Sequence, residues 1–358
     1  MKGKRTMKKT VALILALVMV FALTACGGQN ASAKPETADT NVASSGTEND
    51  KAASGDTIVL QAGHVLTEDS GYHQGLLEWA KLVSERTNGH VKIDVYPNST
   101  LGNERDMIEA VQMGMLDITI PNHAPMANFT DAFSVFDLPF LFASRDEAYA
   151  VCDSEFGQNV LDSLRDVHIV GISMWENGMR YLANNTLDIV TPDDVKGLKI
   201  RTMENKIHMA SFSAWGADPT PMAFGEVYTS LQQGTIDGCE IPLETIYQNK
   251  IYEVANHITM TGHFYCVAPL IMSENAWNKL SADEQKILVD AANEVKPHER
   301  QMVVDADANY HETMKNEGVT FVDEIDADLW RAAAKSVYDN FEKQDVLAQV
   351  QEIIAANK

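Results

Sequence analysis

The stretch TIVLQAGHVLTEDSGYHQGLLEWAKLVSERTNGHVKIDVYPNSTLGNERDMIEAVQMGMLDITI (residues 57–120) decides the fold of this chain. Short apolar runs alternate in it with longer segments whose apolar residues recur every three or four positions. This pattern predicts strand, helix, strand, helix and strand at residues 57–62, 70–87, 90–96, 103–115 and 117–120. Because helical crossovers join successive strands, the stretch predicts a largely parallel sheet.

A second unit with the same order of elements begins near Arg180. Its predicted elements lie at residues 198–202, 205–215, 218–222, 224–233 and 236–241. Both units contain a helix, a glycine, two residues, an aspartate, a strand and a proline, in EAVQMGMLDITIP (109–121) and TSLQQGTIDGCEIP (229–242). This favours two α/β lobes with mixed, mainly parallel sheets and a ligand crevice between the lobes, at the carboxyl ends of the strands.

Length and composition allow a folded protein of two or three domains. The chain has 358 residues, of which 45% are hydrophobic and 22% charged. These values exclude a disordered chain, a coiled-coil rod and a collagen-like fibre. We predict lobe I at residues 56–178 plus about 267–306, and lobe II at 179–266 plus about 307–358. The later parts are predicted to be helical, with a capping box at Ser281 and one or two helices in 327–356.

The charge balance is strongly acidic. Asp and Glu total 51 against 28 Lys and Arg, which gives a net charge of −23. Nucleic acid is excluded as a partner, because its phosphates need a basic surface. An anionic solute is repelled at long range by such a body, so its capture requires a local positive site.

The N-terminal region has the features of an export signal. Lys and Arg in the first ten residues precede the apolar run VALILALVMVFAL (11–23), which is too short to span a membrane. Small residues before Cys26 resemble a lipobox, so we predict a lipoprotein signal peptide at 1–25 and lipid attachment at Cys26. The alternative is an ordinary signal peptide that happens to end near a cysteine. Residues 26–55 are rich in Gly, Ser and Ala and predict a flexible linker between the lipid and the folded body.

No recognised catalytic motif occurs in the sequence. GxSxG, HExxH, the P-loop and GxGxxG are all absent. Cys152, Cys239 and Cys266 lack CxxC spacing, which argues against zinc or a redox pair, and an odd number leaves at least one thiol unpaired. We therefore predict no catalytic residue, no metal and no cofactor.

Two arginines are the strongest candidates for ligand binding. Arg201 lies at the carboxyl end of the predicted strand at 198–202, which places its side chain at the crevice. A guanidinium presents a planar fork of donors that binds a carboxylate through two hydrogen bonds, which lysine does not. Arg180 lies where the chain passes from lobe I to lobe II and can face the same crevice. The alternative for each arginine is a solvated surface charge.

Other side chains also fall near the crevice in this arrangement. Phe224 precedes a predicted helix and either walls the pocket or belongs to the core. Glu240 ends the last strand of the second unit, as a ligand-facing group or an ion-pair partner. Asn122 and His123 hold the corresponding place in the first unit. His64 ends the first strand, where it is either a hydrogen-bonded structural histidine or a ligand contact.

Several segments resemble the extracytoplasmic solute-binding proteins of tripartite ATP-independent periplasmic (TRAP) transporters, the DctP family. The resemblance extends from about residue 57 to at least residue 300. Its most specific segment is GADPTPMAFGEVYTSLQQGTIDGCEIP (216–242). The others are VYPNSTLGNERDMIEAVQMGMLD (95–117), FDLPFLF (136–142), WENGMRYLAN (175–184), TPDDVKGLKIR (191–201) and EVANHITMTGH (253–263).

This resemblance implies a periplasmic-binding-protein-like fold that closes on a small organic acid. It assigns the arginine that binds the ligand carboxylate to Arg201 and a second arginine to Arg180. The pocket phenylalanine of the PMAF segment falls on Phe224. The resemblance and the argument from strand position thus both predict that Arg201 binds the ligand.

The resemblance also implies further pocket residues. The first-strand position falls on His64, and polar positions of the first lobe fall on Glu104 and Asn122. Many members carry asparagine directly after the glutamate of the DGxE segment, which is Glu240 here. This sequence has Ile241 at that place, which implies a less polar pocket wall and argues against transferring a specific ligand such as a sialic acid.

A transport partner follows from the same resemblance. The bound acid is expected to pass to a sodium-coupled permease composed of the TRAP small and large membrane subunits. Two alternatives are a surface lipoprotein hydrolase and a ligand-binding sensor for a membrane kinase. Turnover of a substrate would favour the hydrolase, and a neighbouring kinase gene would favour the sensor.

Overall fold

The computed structural model describes residues 57–358. The predictions of a signal peptide at 1–25, of lipid attachment at Cys26 and of a linker at 26–55 lie outside the described residues. Within residues 57–358, no helix combines the length and the apolar character that a membrane crossing requires.

The described residues contain nine strands and thirteen α-helices. The strands are β1 (Ile58–Gly63), β2 (Val91–Tyr96), β3 (Ile118–Thr119), β4 (Ile169–Asn184), β5 (Lys199–Thr202), β6 (Asp218–Pro221), β7 (Gly238–Ile241), β8 (His257–Ser273) and β9 (Thr320–Val322). The helices are α1 (Gly71–Arg86), α2 (Glu104–Gln112), α3 (His123–Met126), α4 (Arg145–Cys152), α5 (Glu155–Ser163), α6 (Lys206–Ala214), α7 (Val227–Gln232), α8 (Leu243–Gln248), α9 (Glu274–Trp277), α10 (Ala282–Asn316), α11 (Ala327–Ala333), α12 (Lys335–Asp339) and α13 (Gln344–Ala356). Single-turn 3-10 helices lie at Ser134–Asp137, Leu164–Val167, Pro192–Val195, Phe224–Glu226 and Ile251–Glu253.

All the strands belong to one sheet with the order β2-β1-β3-β8-β4-β7-β5-β6, and β9 pairs with β8. The first strand group, β2-β1-β3, is internally parallel, and so is the second strand group, β7-β5-β6. The long strands β4 and β8 run antiparallel between the two groups. The predicted mixed, mainly parallel α/β fold is confirmed.

The two long strands were not predicted as such. β4 has 16 residues and β8 has 17, and nearly every residue of both is buried. A strand that is covered on both faces reads as a continuous apolar run and lacks the alternation that identifies a half-exposed strand. The sequence pattern therefore did not reveal the elements that join the two strand groups.

β4 and β8 pass through both strand groups and are irregular between them. β3 pairs with the C-terminal end of β8, whereas β7 pairs with the C-terminal end of β4. Register shifts interrupt the β4–β8 ladder, one of them between Glu176 and Gly178. Gly178 has a φ of +112°, which a residue with a Cβ rarely adopts. Gly178 pairs with Cys266, so the predicted lobe boundaries after residues 178 and 266 lie side by side on neighbouring strands. The limits of the two lobes stay a prediction.

Several helices begin at capping residues that are recognisable in the sequence. Ser70 and Asn103 accept hydrogen bonds from His73 N and Asp106 N and begin α1 and α2. Ser281 forms a capping box and begins α10, as predicted. α10 continues for 35 residues through the predicted lobe boundary near residue 306. In residues 327–356 the structure has three short helices where one or two were expected.

The core lies on the sheet faces, beneath α1 and α10. Trp79 of α1 and Trp175 of β4 are fully buried and face α10. Their indole N–H groups donate to Leu288 O at 2.9 Å and to Ala292 O at 3.1 Å. α10 is thereby held against both α1 and β4 by apolar burial and by satisfied polar groups.

Candidate ligand-binding site

A small cavity lies beyond the carboxyl ends of the parallel strands, where the crevice was predicted. Residues that follow β1, β3, β5 and β7 contribute to its wall. Its volume is about 20 Å³, enough for one water molecule. The lining residues are Val65, Leu66, Tyr72, Glu104, Asn122, Asn177, Arg180, Arg201, Met203, Phe224, Ile241, Pro242 and Thr245.

Arg201 contributes a buried cation to this cavity. It lies in β5 and is 2% exposed. Its Nε and Nη2 donate to Met222 O at 3.0 and 2.7 Å, which orients the guanidinium. None of the ion pairs among residues 57–358 includes Arg201. Burial lowers the pKa of Arg201, and Arg180 adds to this effect while Glu240 opposes it, so an anion in the cavity would stabilise the charged form.

Arg180, by contrast, is already neutralised. It lies in β4 beside Glu240 of β7, and both side chains are buried. Its Nε contacts Glu240 Oε2, and its Nη2 donates to Glu240 Oε1 at 3.0 Å. Burial alone would raise the pKa of Glu240, but Arg180, His263 and His208 together outweigh burial and hold this pKa well below its usual range. Arg180 therefore lines the cavity as half of a buried ion pair.

A chain of polar groups from α2, β4 and the start of α3 lines the opposite wall. Glu104 Oε1 accepts a hydrogen bond from Asn122 N at 2.7 Å. Asn122 Nδ2 donates to Asn177 Oδ1 at 3.3 Å. Burial raises the pKa of Glu104, and the Asn122 N–H opposes that shift. In the described part of the chain, this wall offers amide and carboxyl groups and no cation.

Two hydroxyl groups at the cavity were not predicted from the sequence. Tyr72 of α1 and Thr245 of α8 line it, and both are buried. The Tyr72 Oη and Thr245 Oγ1 atoms have no hydrogen-bond partner among residues 57–358. Each residue occupies an early turn of its helix, and no local pattern distinguishes it from a core residue. Both hydroxyls are free to bind a polar ligand group.

Six of the eight predicted site residues line the cavity. They are Arg201, Arg180, Phe224, Asn122, Glu104 and Ile241. Glu240 lies behind the wall, paired with Arg180. His64 is buried outside it, with its Nε2 at 3.1 Å from His73 Nδ1, and burial together with His73 lowers the pKa of His64 to about 3. A ligand-binding role for these residues stays a prediction.

Glu244 joins α8 to α1 at the edge of the cavity and should make stability depend on pH. It accepts from Gly71 N at 3.1 Å, and burial raises its pKa from 4.5 to about 7, with the Gly71 N–H opposing. A carboxyl whose pKa is raised by folding binds an extra proton in the native state, so stability falls as the pH rises from about 4.5 to about 7. Glu244→Gln should raise the free energy of unfolding at pH 8 by about 1–3 kcal/mol and leave it nearly unchanged at pH 4.

Urea unfolding of wild type and Glu244→Gln at both pH values tests this. Glutamine keeps the acceptor for Gly71 N and removes only the charge. Glu253→Gln, at an exposed Lys250 pair, serves as the control and should leave the pH profile unchanged. Equal stabilities of wild type and Glu244→Gln at pH 8 would contradict the assignment.

Comparison with known proteins identifies a family of binding proteins. The family model for bacterial extracellular solute-binding protein family 7 (DctP) matches residues 62–344. The 2,3-diketo-L-gulonate-binding periplasmic protein YiaO of Escherichia coli is 31% identical over 300 residues, which cover 82% of this chain and 92% of that protein. The C4-dicarboxylate-binding periplasmic protein DctP of Rhodobacter capsulatus is 32% identical over 286 residues, which cover 79% of this chain and 86% of that protein.

A solved structure shares both the fold and part of the sequence. The TRAP periplasmic solute-binding protein from Polaromonas sp. JS666, bound to D-erythronate, superposes with a TM-score of 0.81 at 36% identity. The match covers 83% of this chain and 98% of that chain. These findings favour neither the hydrolase nor the kinase sensor.

Proposed function

The chain belongs to bacterial extracellular solute-binding protein family 7, the DctP family, and from this premise we propose that it binds a small hydroxylated monocarboxylate. Proteins of this family are transporter substrate-binding proteins and not enzymes. The observation that carries the proposal is the buried guanidinium of Arg201, which no carboxylate among the described residues neutralises. A buried charge without a partner is costly, so the site favours an anion that supplies the missing charge.

The charge of the cavity supports one carboxylate and not two. Among residues 57–358, Arg201 is its single unpaired cation, since Glu240 neutralises Arg180. Glu104 on the opposite wall would repel a second ligand carboxylate if it were ionised. In neither protonation state does Glu104 supply a positive charge for that carboxylate. A dicarboxylate therefore leaves one negative charge uncompensated in a dry cavity, which is strongly unfavourable.

The neutral polar groups support hydroxyls on the ligand. Tyr72, Thr245, Asn122 and Asn177 all line the cavity and bear hydroxyl or amide groups. The Tyr72 and Thr245 hydroxyls lack partners among residues 57–358, so ligand hydroxyls would satisfy them. D-erythronate, the ligand of the Polaromonas protein, combines one carboxylate with several hydroxyls.

Ligand exchange requires the cleft to widen. Any organic acid is larger than a cavity of about 20 Å³. Both strand groups contribute to the wall, because Asn122 follows β3 of the first group and Arg201 lies in β5 of the second. The irregular stretches of β4 and β8 are the places where backbone rotation can separate the groups. Closure over the acid would then exclude water and strengthen its pairing with Arg201.

Delivery of the solute completes the proposal. The family is extracytoplasmic, and we propose that lipid on Cys26 anchors this member to the membrane surface. The bound acid would pass to a sodium-coupled permease made of TRAP small and large membrane subunits. The acidic surface is compatible with this role, since recognition depends on Arg201 at short range.

Calorimetric titration with four matched four-carbon compounds tests the proposed ligand class. Erythronate carries one carboxylate and three hydroxyls, erythritol lacks the carboxylate, butyrate lacks the hydroxyls, and malate carries two carboxylates and one hydroxyl. We expect erythronate to bind at least tenfold more tightly than each of the others. Tighter binding of malate would overturn the monocarboxylate class, and no binding of erythronate, gluconate or malate would overturn the acid-binding function.

A hydroxyl deletion tests the contribution of Tyr72. Tyr72→Phe should weaken erythronate binding about five- to tenfold, because one buried hydrogen bond contributes roughly 1 kcal/mol, and should leave butyrate binding unchanged. Tyr228→Phe is the matched control, because the Tyr228 hydroxyl donates to Glu253 Oε2 at 3.4 Å and lies outside the cavity. An equal loss for erythronate and butyrate would show that Tyr72 acts only on the shape of the site.

A further inference from the structure

Three buried side chains that the ligand cavity does not use converge behind it. His123 begins α3, Asp137 ends the 3-10 helix at Ser134–Asp137, and His208 lies in α6. All three are 0% exposed. The Nε2 atoms of His123 and His208 lie 3.1 and 3.2 Å from the same oxygen, Asp137 Oδ1. The His208 ring is fixed by stacking on Phe264, with 3.9 Å between ring centroids.

The three atoms that converge are not hydrogen-bonded to one another. His123 Nε2, His208 Nε2 and Asp137 Oδ1 all lack a partner of acceptable hydrogen-bond geometry among residues 57–358. The ligand atoms of the trio lie within 4.8 Å of one another. Bonds of about 2.0–2.1 Å in a tetrahedral zinc site separate neighbouring ligand atoms by about 3.3 Å. The separations of 3.1 and 3.2 Å from Asp137 Oδ1 match this spacing.

The surrounding contacts orient two of these groups as metal ligands. His123 Nδ1 lies 3.3 Å from Val267 O, a contact that places the ring proton on Nδ1 and leaves the Nε2 lone pair available. Asp137 Oδ2 accepts from Asn205 Nδ2 at 2.8 Å, which leaves Oδ1 to face the histidines. Hydrogen bonds of this kind fix the tautomer and the direction of metal ligands.

A surface groove borders one member of the trio, Asp137. Asp137 and Asn205 form part of the wall of a groove of about 650 Å³. The same groove is lined by Asp131, Glu204 and Glu342 and by Lys206 and Lys343, so its acidic side chains outnumber its basic ones. A metal site needs suitable ligands, spacing, outer contacts and an entry path. This cluster has the ligands and the spacing, outer contacts fix His123 and Asp137, and the groove borders Asp137.

We propose that His123, Asp137 and His208 form a binding site for a divalent transition metal of the zinc class. Two imidazole nitrogens and one carboxylate oxygen are ligands that Zn²⁺ and Co²⁺ accept, and three protein ligands leave a fourth position for water. The bound ion would join α3, which follows the first strand group, to α6, which follows β5 of the second. None of the three ligands lines the cavity that contains Arg201.

Titration of the chelator-treated, purified protein with Co²⁺ tests the site directly. We expect about one Co²⁺ per chain, visible absorption of a four-coordinate nitrogen and oxygen site, and displacement by Zn²⁺. A midpoint of thermal unfolding that rises with Zn²⁺ concentration would support the same conclusion. Absence of stoichiometric Co²⁺ binding to the folded wild-type protein would overturn the proposal, whatever the variants show.

Substitutions locate the bound ion. Asp137→Asn and His123→Gln should each weaken Co²⁺ binding by about 100-fold or more, since each removes a ligand. His168→Gln is the matched control, because His168 makes a surface contact with Glu274 at the same distance of 3.1 Å. Circular dichroism of the metal-free variants verifies folding. Unchanged binding in Asp137→Asn, or loss of binding in His168→Gln, would place the metal elsewhere and overturn the assignment.

Discussion

Replacing Arg201 by lysine is expected to weaken binding of the organic acid by an order of magnitude or more while the fold survives. Lysine retains a positive charge but loses the planar fork that binds both carboxylate oxygens. The single ammonium nitrogen of lysine also cannot replace the two nitrogens, Nε and Nη2, that donate to Met222 O and orient the guanidinium. A lysine ammonium buried at this site would in addition lose its proton more readily than arginine does.

Calorimetric titration of wild type and Arg201→Lys with erythronate measures this effect. Arg105→Lys is the matched control, because Arg105 is exposed and lies 3.9 Å from Glu204 outside the cavity. It should change the dissociation constant by less than about twofold, as expected for an exposed pair. Equal affinities of wild type and Arg201→Lys would remove Arg201 from its assigned role.

Breaking the ion pair of Arg180 should have the largest effect on stability. Glu240→Gln preserves the size of the side chain but leaves the buried guanidinium of Arg180 without its counter-charge. Removal of one partner from a buried pair costs about 3–5 kcal/mol, because the remaining charge stays desolvated. We expect a loss of that size in the free energy of unfolding measured by urea denaturation at pH 7.

An exposed pair provides the comparison for Glu240→Gln. Asp290 contacts Lys286 one turn away on the surface of α10, and both side chains are more than half exposed. Asp290→Asn should change the free energy of unfolding by less than about 0.5 kcal/mol. A loss in Glu240→Gln no larger than that of Asp290→Asn would mean that water or another group neutralises Arg180.

Strands and helices with one exposed face were predictable from sequence, and fully covered ones were not. Residues 91–96 alternate between apolar and polar side chains, and Asn103 provides a cap, so β2 and α2 were found close to their observed limits. β4 and β8 are buried along nearly their whole length and show no such periodicity. Periodicity records exposure to water, and it disappears where both faces are covered.

Some residues of the cavity were predictable from the local sequence, and others were not. Arg201 and Phe224 were predicted at the cavity because each lies in a family-specific segment of sequence, near the end of a strand. Tyr72 and Thr245 were missed because a hydroxyl in an apolar helix has the same local pattern whether it faces a core or a ligand. Their lack of hydrogen-bond partners becomes visible only when α1 and α8 are placed side by side.

Sequence alone thus determined the family, the alternating α/β order and the presence of an arginine at a strand end. Only the tertiary structure decided which arginine is available to an anion, because the pairing of Arg180 depends on Glu240, sixty residues away in the chain. It also brought together His123, Asp137 and His208, whose separation in sequence matches no metal-binding motif. Electrostatic and coordination chemistry act over a few ångströms in space, and the order of residues sets those distances only through the fold.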